Sequence, residues 1–259
     1  KQLIMVISSI VVLIISLAVI LPEKQKNTFP KILQELYLQT WFTTKQFYKP
    51  CFQRKQFFCH FGEETHERTI FLVGDSVLAS MQNELKQKLL KRKINFIPMT
   101  NAGCDFVKLT STENQSIFCN SKLQLNRDKK IRKFKNSTII MHLNYRNLGK
   151  GDKKLFSFIQ SIKKYLDLNY NIILIYPIPQ WSDNVSDQIY KIYSKDKKNF
   201  IDKFKVNNYI SLSYKDYLIE TKKIINEFDK LNDKKLFSVY PDKVFCNIIE
   251  VNRCAANSS

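Results

Sequence analysis

The sequence predicts an α/β fold in which a parallel sheet is covered by helices on both faces. Apolar runs alternate along the chain with segments of helical periodicity, which is the pattern of successive βαβ units. The run Ile70–Val73 has no polar alternation, as expected for a central strand that is buried on both faces. That run ends abruptly in Gly74-Asp75-Ser76, where glycine permits a tight turn and the aspartate side chain can organise it.

Four strands are predicted in chain order, and each has an apolar core. They are read from TIFLVGDSV (69–77), INFIPMT (94–100), STIIMHLNY (137–145) and NIILIYPIP (171–179). Amphipathic helices are predicted over 77–91 and 152–168, and most of 185–231 is predicted to be helical, including 214–228. The segment from Ala102 to Asn136 is interpreted as a polar, lysine-rich loop.

A membrane span is predicted at the N-terminus. Leu3–Leu21 carries no charge and is long enough to cross a hydrocarbon core as a helix of ~20 residues. A signal peptide is the alternative, but the run is longer than a usual signal core and no small-residue cleavage site follows it. The chain begins with Lys1, so we expect a fragment of a longer protein whose earlier spans precede this one.

Cysteine usage indicates the compartment. The six cysteines fall into three neighbouring pairs along the chain, namely Cys51 with Cys59, Cys104 with Cys119 and Cys246 with Cys254. An even count beside a membrane span favours disulfides in an oxidising compartment, although sequence alone leaves the connectivity open, and buried free thiols are the alternative. The absence of Cys-x-x-Cys spacing and the scarcity of histidine argue against a metal site.

The net charge of +19 raises the question of an anionic partner. Lysines are scattered through most segments, and no zinc-finger, helix-turn-helix or RNA-recognition signature is present. Dedicated nucleic-acid binding is therefore not predicted. The charge is interpreted as surface solvation together with a general attraction to an acidic envelope.

Candidate site residues follow three successive predicted strands. Ser76 follows the first strand, Gly103 the second, and Asn144 the third. Because the carboxyl ends of parallel strands lie on one edge, we expect these residues to converge. A serine, a glycine amide and an asparagine side chain would supply the nucleophile and the oxyanion donors of an acyl-transfer site. Each also has a plainer explanation: Ser76 as a helix N-cap, Gly103 as a turn residue and Asn144 as a loop hydrogen-bonder.

Residues 68–254 resemble the SGNH/GDSL hydrolases, and specifically the periplasmic SGNH domain fused to membrane acyltransferase-3 proteins that O-acetylate surface polysaccharides. LVGDS resembles the nucleophile block, with Gly74 and Asp75 as motif support, which implies a catalytic role for Ser76; Gly103 matches the glycine of the second block. The resemblance also extends to TIIMHLNYR, to YPIPQW, and to the cysteine pairs 104/119 and 246/254. It implies a three-layer, flavodoxin-like sheet.

One family element is missing from the sequence. The family carries its catalytic aspartate and histidine in an Asp-x-x-His sequence near the C-terminus, and none occurs here. His60 and His66 precede the nucleophile strand, and His142 lies within the third strand, so each is interpreted as an ordinary surface or core histidine. We expect the missing block to follow Ser259 and expect the fragment to be inactive without it. Asn144 stays a candidate oxyanion donor only.

The resemblance therefore implies O-acyl transfer, with acetyl as the expected group, to a cell-envelope polysaccharide through an acyl-serine. An upstream membrane domain would deliver the donor, and no cofactor is expected. The alternatives are a carbohydrate esterase and a catalytically degenerate domain that binds glycan or serves as a scaffold. The predicted organisation is a transmembrane helix over 1–22, a linker over 23–67 and a truncated SGNH-like domain over 68–259. The expected location is the bacterial inner membrane, with the soluble domain in the periplasm.

Overall fold

A computed structural model describes residues 51, 58–63, 65–107, 119–148, 153–180, 193–195, 212–247 and 251–254. The predicted membrane span Leu3–Leu21 lies outside these residues. Within the described ranges, no helix is both long enough and apolar enough to cross a membrane.

The fold is built on a parallel sheet of five strands, which include the four that the sequence predicts. The strands are β1 (Thr69–Gly74), β2 (Asn95–Thr100), β3 (Thr138–His142), β4 (Asn171–Ile175) and β6 (Leu236–Val239), in the spatial order β2-β1-β3-β4-β6. All four strand pairings are parallel. A short antiparallel pair, β5 (Leu212–Ser213) with β7 (Arg253–Cys254), stands apart from this sheet. The order is the flavodoxin-like one, in which ligands bind where β1 and β3 diverge.

Helices contribute to the core on both faces of the sheet. They are α1 (Ser76–Ala79), α2 (Gln82–Lys91), α3 (Ser121–Ile131), α4 (Lys153–Asp167), α5 (Tyr214–Asp229) and α6 (Asp242–Phe245), with a 3₁₀ helix at Tyr145–Asn147. Phe71 packs in one cluster with Phe158 of α4 and Phe228 of α5. Leu72, the next residue of β1, packs on the opposite face with Leu78 and Leu89 of the first two helices. This alternation confirms a strand buried on both faces.

Two predicted elements differ from the observed ones, one by a break and one by an earlier end. The single helix predicted over 77–91 is broken at Ser80 and Met81, where the Ser80 hydroxyl donates to the Val77 carbonyl at 2.7 Å. Such local side-chain bonds compete with helix continuation. The third strand ends at His142 rather than Tyr145, because Asn144 caps the 3₁₀ helix that follows.

Helix α3 corrects the prediction of a continuous polar loop from Ala102 to Asn136. The helix starts after Asn120, whose side chain accepts from the Leu123 amide at 2.9 Å as an N-cap. Its inward positions Leu123, Arg127 and Ile131 are spaced four residues apart. The central one carries an arginine, and this charge interrupts the apolar stripe by which a sequence reveals a helix.

The fifth strand of the sheet, β6, was not predicted. Leu236–Val239 is only four residues long and pairs with β4 alone, at the edge of the sheet. Phe237 and Val239 are exposed, so the strand lacks the continuous burial that identifies β1. Its place in the sheet depends on pairing with distant residues such as Ile172.

Three disulfides are present and confirm the neighbouring pairs named from the sequence. They join Cys51 to Cys59, Cys104 to Cys119 and Cys246 to Cys254. The bond between Cys104 and Cys119 connects the loop after β2 to the residue that precedes the N-cap of α3. It therefore ties this helix to the edge of the sheet on which the candidate site residues lie.

Candidate active site

Ser76 lies at the junction between β1 and α1. Asp75, not Ser76, is the N-cap of this helix: its Oδ1 accepts a hydrogen bond from the Val77 amide at 2.9 Å. The interpretation of Ser76 as a capping serine is therefore wrong, because the preceding aspartate already fills that role. Ser76 is the first helical residue and is half-buried, so its hydroxyl is reachable from solvent at the carboxyl edge of the sheet.

The ends of the first three strands converge, as predicted. The Asn101 amide after β2 donates to the Gly74 carbonyl at the end of β1 at 3.1 Å. After β3, Asn144 Nδ2 donates to Asp75 Oδ2 at 2.8 Å, a contact between residues 69 positions apart in the chain. Both bonds are made to the two residues that precede Ser76. The three segments that carry the candidate residues therefore share one edge of the sheet.

Gly103 occupies the turn after β2, next to this junction. The Cys104 amide donates to the Asn101 carbonyl at 3.2 Å and closes the turn. Gly103 has φ +59°, a left-handed backbone conformation that glycine adopts without the steric cost other residues meet. It is exposed, and a Cβ at this position would meet no heavy atom of the described residues within 4 Å. Within this part of the chain, the backbone at Gly103 therefore borders open space.

Asn144 is held on all sides by hydrogen bonds. Its side-chain oxygen accepts from the Arg146 amide at 3.1 Å and from Gln180 Nε2 at 3.2 Å, while its nitrogen donates to Asp75. A carboxamide has two N–H donors, so one remains beyond the bond to Asp75. Its own backbone amide donates to Asp105 Oδ1 at 3.0 Å. Its proposed role as an oxyanion donor stays a prediction.

Two buried carboxylates and two cations lie beneath these loops. Asp75 and Asp105 are almost completely buried, and Arg127 is fully buried. Lys154 of α4 places Nζ 2.6 Å from Asp105 Oδ2. Burial raises the pKa of Asp75, and the nearby negative charge of Asp105 raises it further, against the hydrogen bond from Asn144. The two positive side chains offset the two negative ones, and ionised groups are retained in a core only when their charges are compensated in this way.

Within the described residues, no contact joins Ser76 to any of the three histidines. His142 is fully buried near the end of β3, where Nδ1 donates to the Ile175 carbonyl at 3.2 Å. Burial lowers the pKa of His142, although the charge of Asp75 acts against this shift. His60 is exposed and packs edge-on against Phe134. The part of the chain that the structure describes therefore assigns no histidine as a partner of Ser76.

Sequence reasoning did not single out Arg127, Asp105 or Lys154. A lysine or an aspartate in a lysine-rich chain gives no local signal that distinguishes a buried ion pair from a solvated surface. The arginine carried a weak signal, since it shares the helical spacing of Leu123 and Ile131. No group of three or more potential ligand side chains suitable for a metal ion occurs in the described ranges.

Comparison with known families provides an independent line of evidence. Residues 49–257 match a family described as the SGNH domain fused to AT3 domains. The chain has no significant match among curated proteins, and none among solved structures. The match covers most of the chain, including every described strand and helix. The chain therefore belongs to the family of SGNH domains that are fused to acyltransferase-3 domains.

Proposed function

We propose that this domain transfers an acyl group, with acetyl as the expected one, to a hydroxyl of a cell-envelope polysaccharide through an acyl-Ser76 intermediate. Membership in the family indicates acyl transfer or esterase-type chemistry. The observation that carries the proposal further is the placement of Ser76 where the ends of β1, β2 and β3 meet, beside the open turn at Gly103. A nucleophile and amide donors can act on one carbonyl from such a position.

The reaction would proceed in two displacements. Ser76 Oγ would attack the acyl carbonyl of the donor, its proton would pass to a general base, and the donor's leaving group would depart with a proton. A glycan hydroxyl would then attack the acyl-serine and regenerate Ser76. The backbone amides of Ser76 and Gly103, with Asn144 as a candidate third donor, would hold the oxyanion of each tetrahedral intermediate.

The base is proposed to come from an Asp-x-x-His sequence, which residues 1–259 do not contain. Histidine would accept the serine proton and aspartate would orient the imidazole. On this proposal, the chain of 259 residues has little activity by itself. No cofactor is proposed, because a membrane domain would present the acyl donor directly.

The setting proposed for this chemistry is the outer side of the bacterial inner membrane. Fusion to acyltransferase-3 domains indicates a membrane protein with a soluble domain, and the three disulfides are consistent with an extracytoplasmic location. The membrane-spanning segment over 1–22 and the periplasmic placement of the soluble domain remain parts of the proposal.

Ester hydrolysis by the same site is the second candidate. Transfer and hydrolysis share the acyl-serine and differ only in whether a glycan hydroxyl or water attacks it. Exposure of Gly103, which leaves the turn open to solvent, is the observation that favours hydrolysis. A degenerate domain that binds glycan or serves as a scaffold is the third. Product analysis separates them: acylated glycan, free acid, or neither.

The test is replacement of Ser76 by alanine in the full-length protein. Glycan acylation should fall by roughly 10⁴-fold or more, as for members of a catalytic triad. Stability should change little, since Asp75 provides the cap and remains in place. Ser80→Ala is the matched control: Ser80 is exposed and follows α1, and its hydroxyl donates to the Val77 carbonyl of the same helix. A Ser76→Ala protein that acylates at the wild-type rate would show that the nucleophile lies elsewhere.

A further inference from the structure

Arg127 is a fully buried cation beneath the loops of the candidate site. Its side chain is the bulkiest of the fully buried residues. Burial lowers the pKa of its guanidinium to about 9, although the charges of Asp105 and Asp75 act to raise it. Burying an ionised group is unfavourable unless its hydrogen bonds and charge are compensated. Arginine at this position on α3 therefore needs an explanation beyond core packing.

The guanidinium joins two loops that are separate in the sequence. Nη2 donates to the Gly74 carbonyl at 3.0 Å, a contact across 53 residues of chain. Nη1 donates to the Cys104 carbonyl at 3.2 Å. Gly74 lies two residues before Ser76, and Cys104 directly follows Gly103. One planar group thus holds a carbonyl close to each of the two backbone amides that the proposed reaction requires.

The arginine is itself held in place from two directions. Gln124, one helical turn earlier on α3, accepts from Nη1 at 3.3 Å and donates to the Asp105 carbonyl at 2.7 Å. The disulfide between Cys104 and Cys119 ties the start of the same helix to the same loop. The guanidinium therefore has little freedom to shift relative to the turn at Gly103.

We propose that Arg127 is a positioning residue for the oxyanion hole: it sets the spacing between the backbone amides of Ser76 and Gly103. This inference rests on the proposed function. An oxyanion hole is effective because its donors are already in place when charge develops on the substrate. The rigid fork of arginine can hold two carbonyls at once, whereas a lysine ammonium on a flexible stem cannot hold them in a fixed geometry.

The test compares Arg127→Met and Arg127→Lys with the wild type in the full-length protein, using turnover of an acyl ester. Arg132→Met is the control, because Arg132 is the C-cap residue of the same helix, has a half-exposed side chain and pairs with Asp128 away from the candidate site. We expect kcat to fall roughly 10²- to 10³-fold in Arg127→Met, as on loss of an oxyanion donor. Arg127→Lys should lose roughly 10- to 100-fold, since a misplacement of about 1 Å can cost that much.

The Michaelis constant separates positioning from general structural support. KM should stay within about threefold of wild type in both variants, because ground-state binding does not depend on the oxyanion donors. Hydrogen exchange should quicken at 74–76 and 101–105 and remain unchanged in β4. A folded variant with wild-type kcat, or one in which only KM rises, would overturn the inference.

Further outcomes complete the test. If neither Arg127 variant folds while Arg132→Met does, the arginine is a structural residue and the inference fails. If Ser76→Ala retains wild-type activity, the proposed function fails and this inference is overturned with it. If Ser76→Ala is inactive while Arg127→Met keeps a wild-type kcat, this inference alone is overturned.

Discussion

Loss of the Asp105 carboxylate should destabilise the domain far more than loss of a surface ion pair. Its side chain is fully buried, and it accepts from the Asn144 amide at 3.0 Å and pairs with Lys154 Nζ at 2.6 Å. Asp105→Ala would leave a buried amide without an acceptor and remove a counter-charge of Arg127. Removing one partner of a buried pair costs about 3 to 5 kcal/mol. Lys154 is 22% exposed and can turn toward water. We therefore expect the loss of unfolding free energy to lie in the lower half of that range.

Asp105→Asn should be milder than the alanine variant. An asparagine oxygen can still accept from the Asn144 amide, so what is lost is the negative charge that Asp105 presents to Lys154 and Arg127. A hydrogen bond to a charged group contributes about 1.5 to 3 kcal/mol, and we expect a loss near the lower value. The unfolding free energy should therefore fall in the order wild type, Asp105→Asn, Asp105→Ala. This ranking is a stricter test than either value alone.

The assay is urea unfolding followed by circular dichroism, with Glu84→Ala as the control. Glu84 pairs with Lys88 on α2, where both side chains are about two-thirds exposed. Such surface pairs contribute about 0 to 1 kcal/mol. The reasoning is refuted if Asp105→Ala loses less than about 1 kcal/mol, or if Glu84→Ala loses as much as Asp105→Ala.

Two further predictions concern stability. Replacing Cys104 and Cys119 by serine opens a loop of 15 residues and should lower the unfolding free energy by roughly 3 kcal/mol in the chain-entropy model. An unchanged urea midpoint, or free thiols at these positions in mass mapping of the non-reduced wild type, would contradict it. His142 has a pKa below its ordinary value of 6.5, so the unfolded chain takes up a proton that the folded protein does not. Its contribution to stability should therefore be present above pH 6.5 and be lost on acidification, by up to about 1.4 kcal/mol per pH unit. The raised pKa of Asp75 has the opposite effect on the pH dependence of stability. The quantity to measure is therefore the difference in unfolding free energy between wild type and His142→Gln as a function of pH. An identical pH dependence of the two proteins would refute the lowered pKa of His142.

Local sequence patterns were sufficient to predict the central strand of the sheet and the turn at its end. The run Ile70–Val73 identified the strand buried on both faces, and Gly74-Asp75-Ser76 marked its end. The convergence of Asn144 on Asp75 followed from a general property of parallel sheets, without any contact being known. The cysteine pairs were adjacent along the chain, so their proximity depended little on the fold.

The sequence by itself determined the apolar period, the turn chemistry and the order of the first four strands, because these depend on residues close together in the chain. Only the tertiary structure decided the edge strand β6, whose exposed residues have no pattern until β4 pairs with them. It also decided that Arg127 lies inside. The Gly74 carbonyl that it contacts is 53 residues away, and the only local sign of burial is the helical spacing that Arg127 shares with Leu123 and Ile131. Buried polar groups are selected by partners that the fold brings from a distance, whereas apolar strands are selected by their own composition.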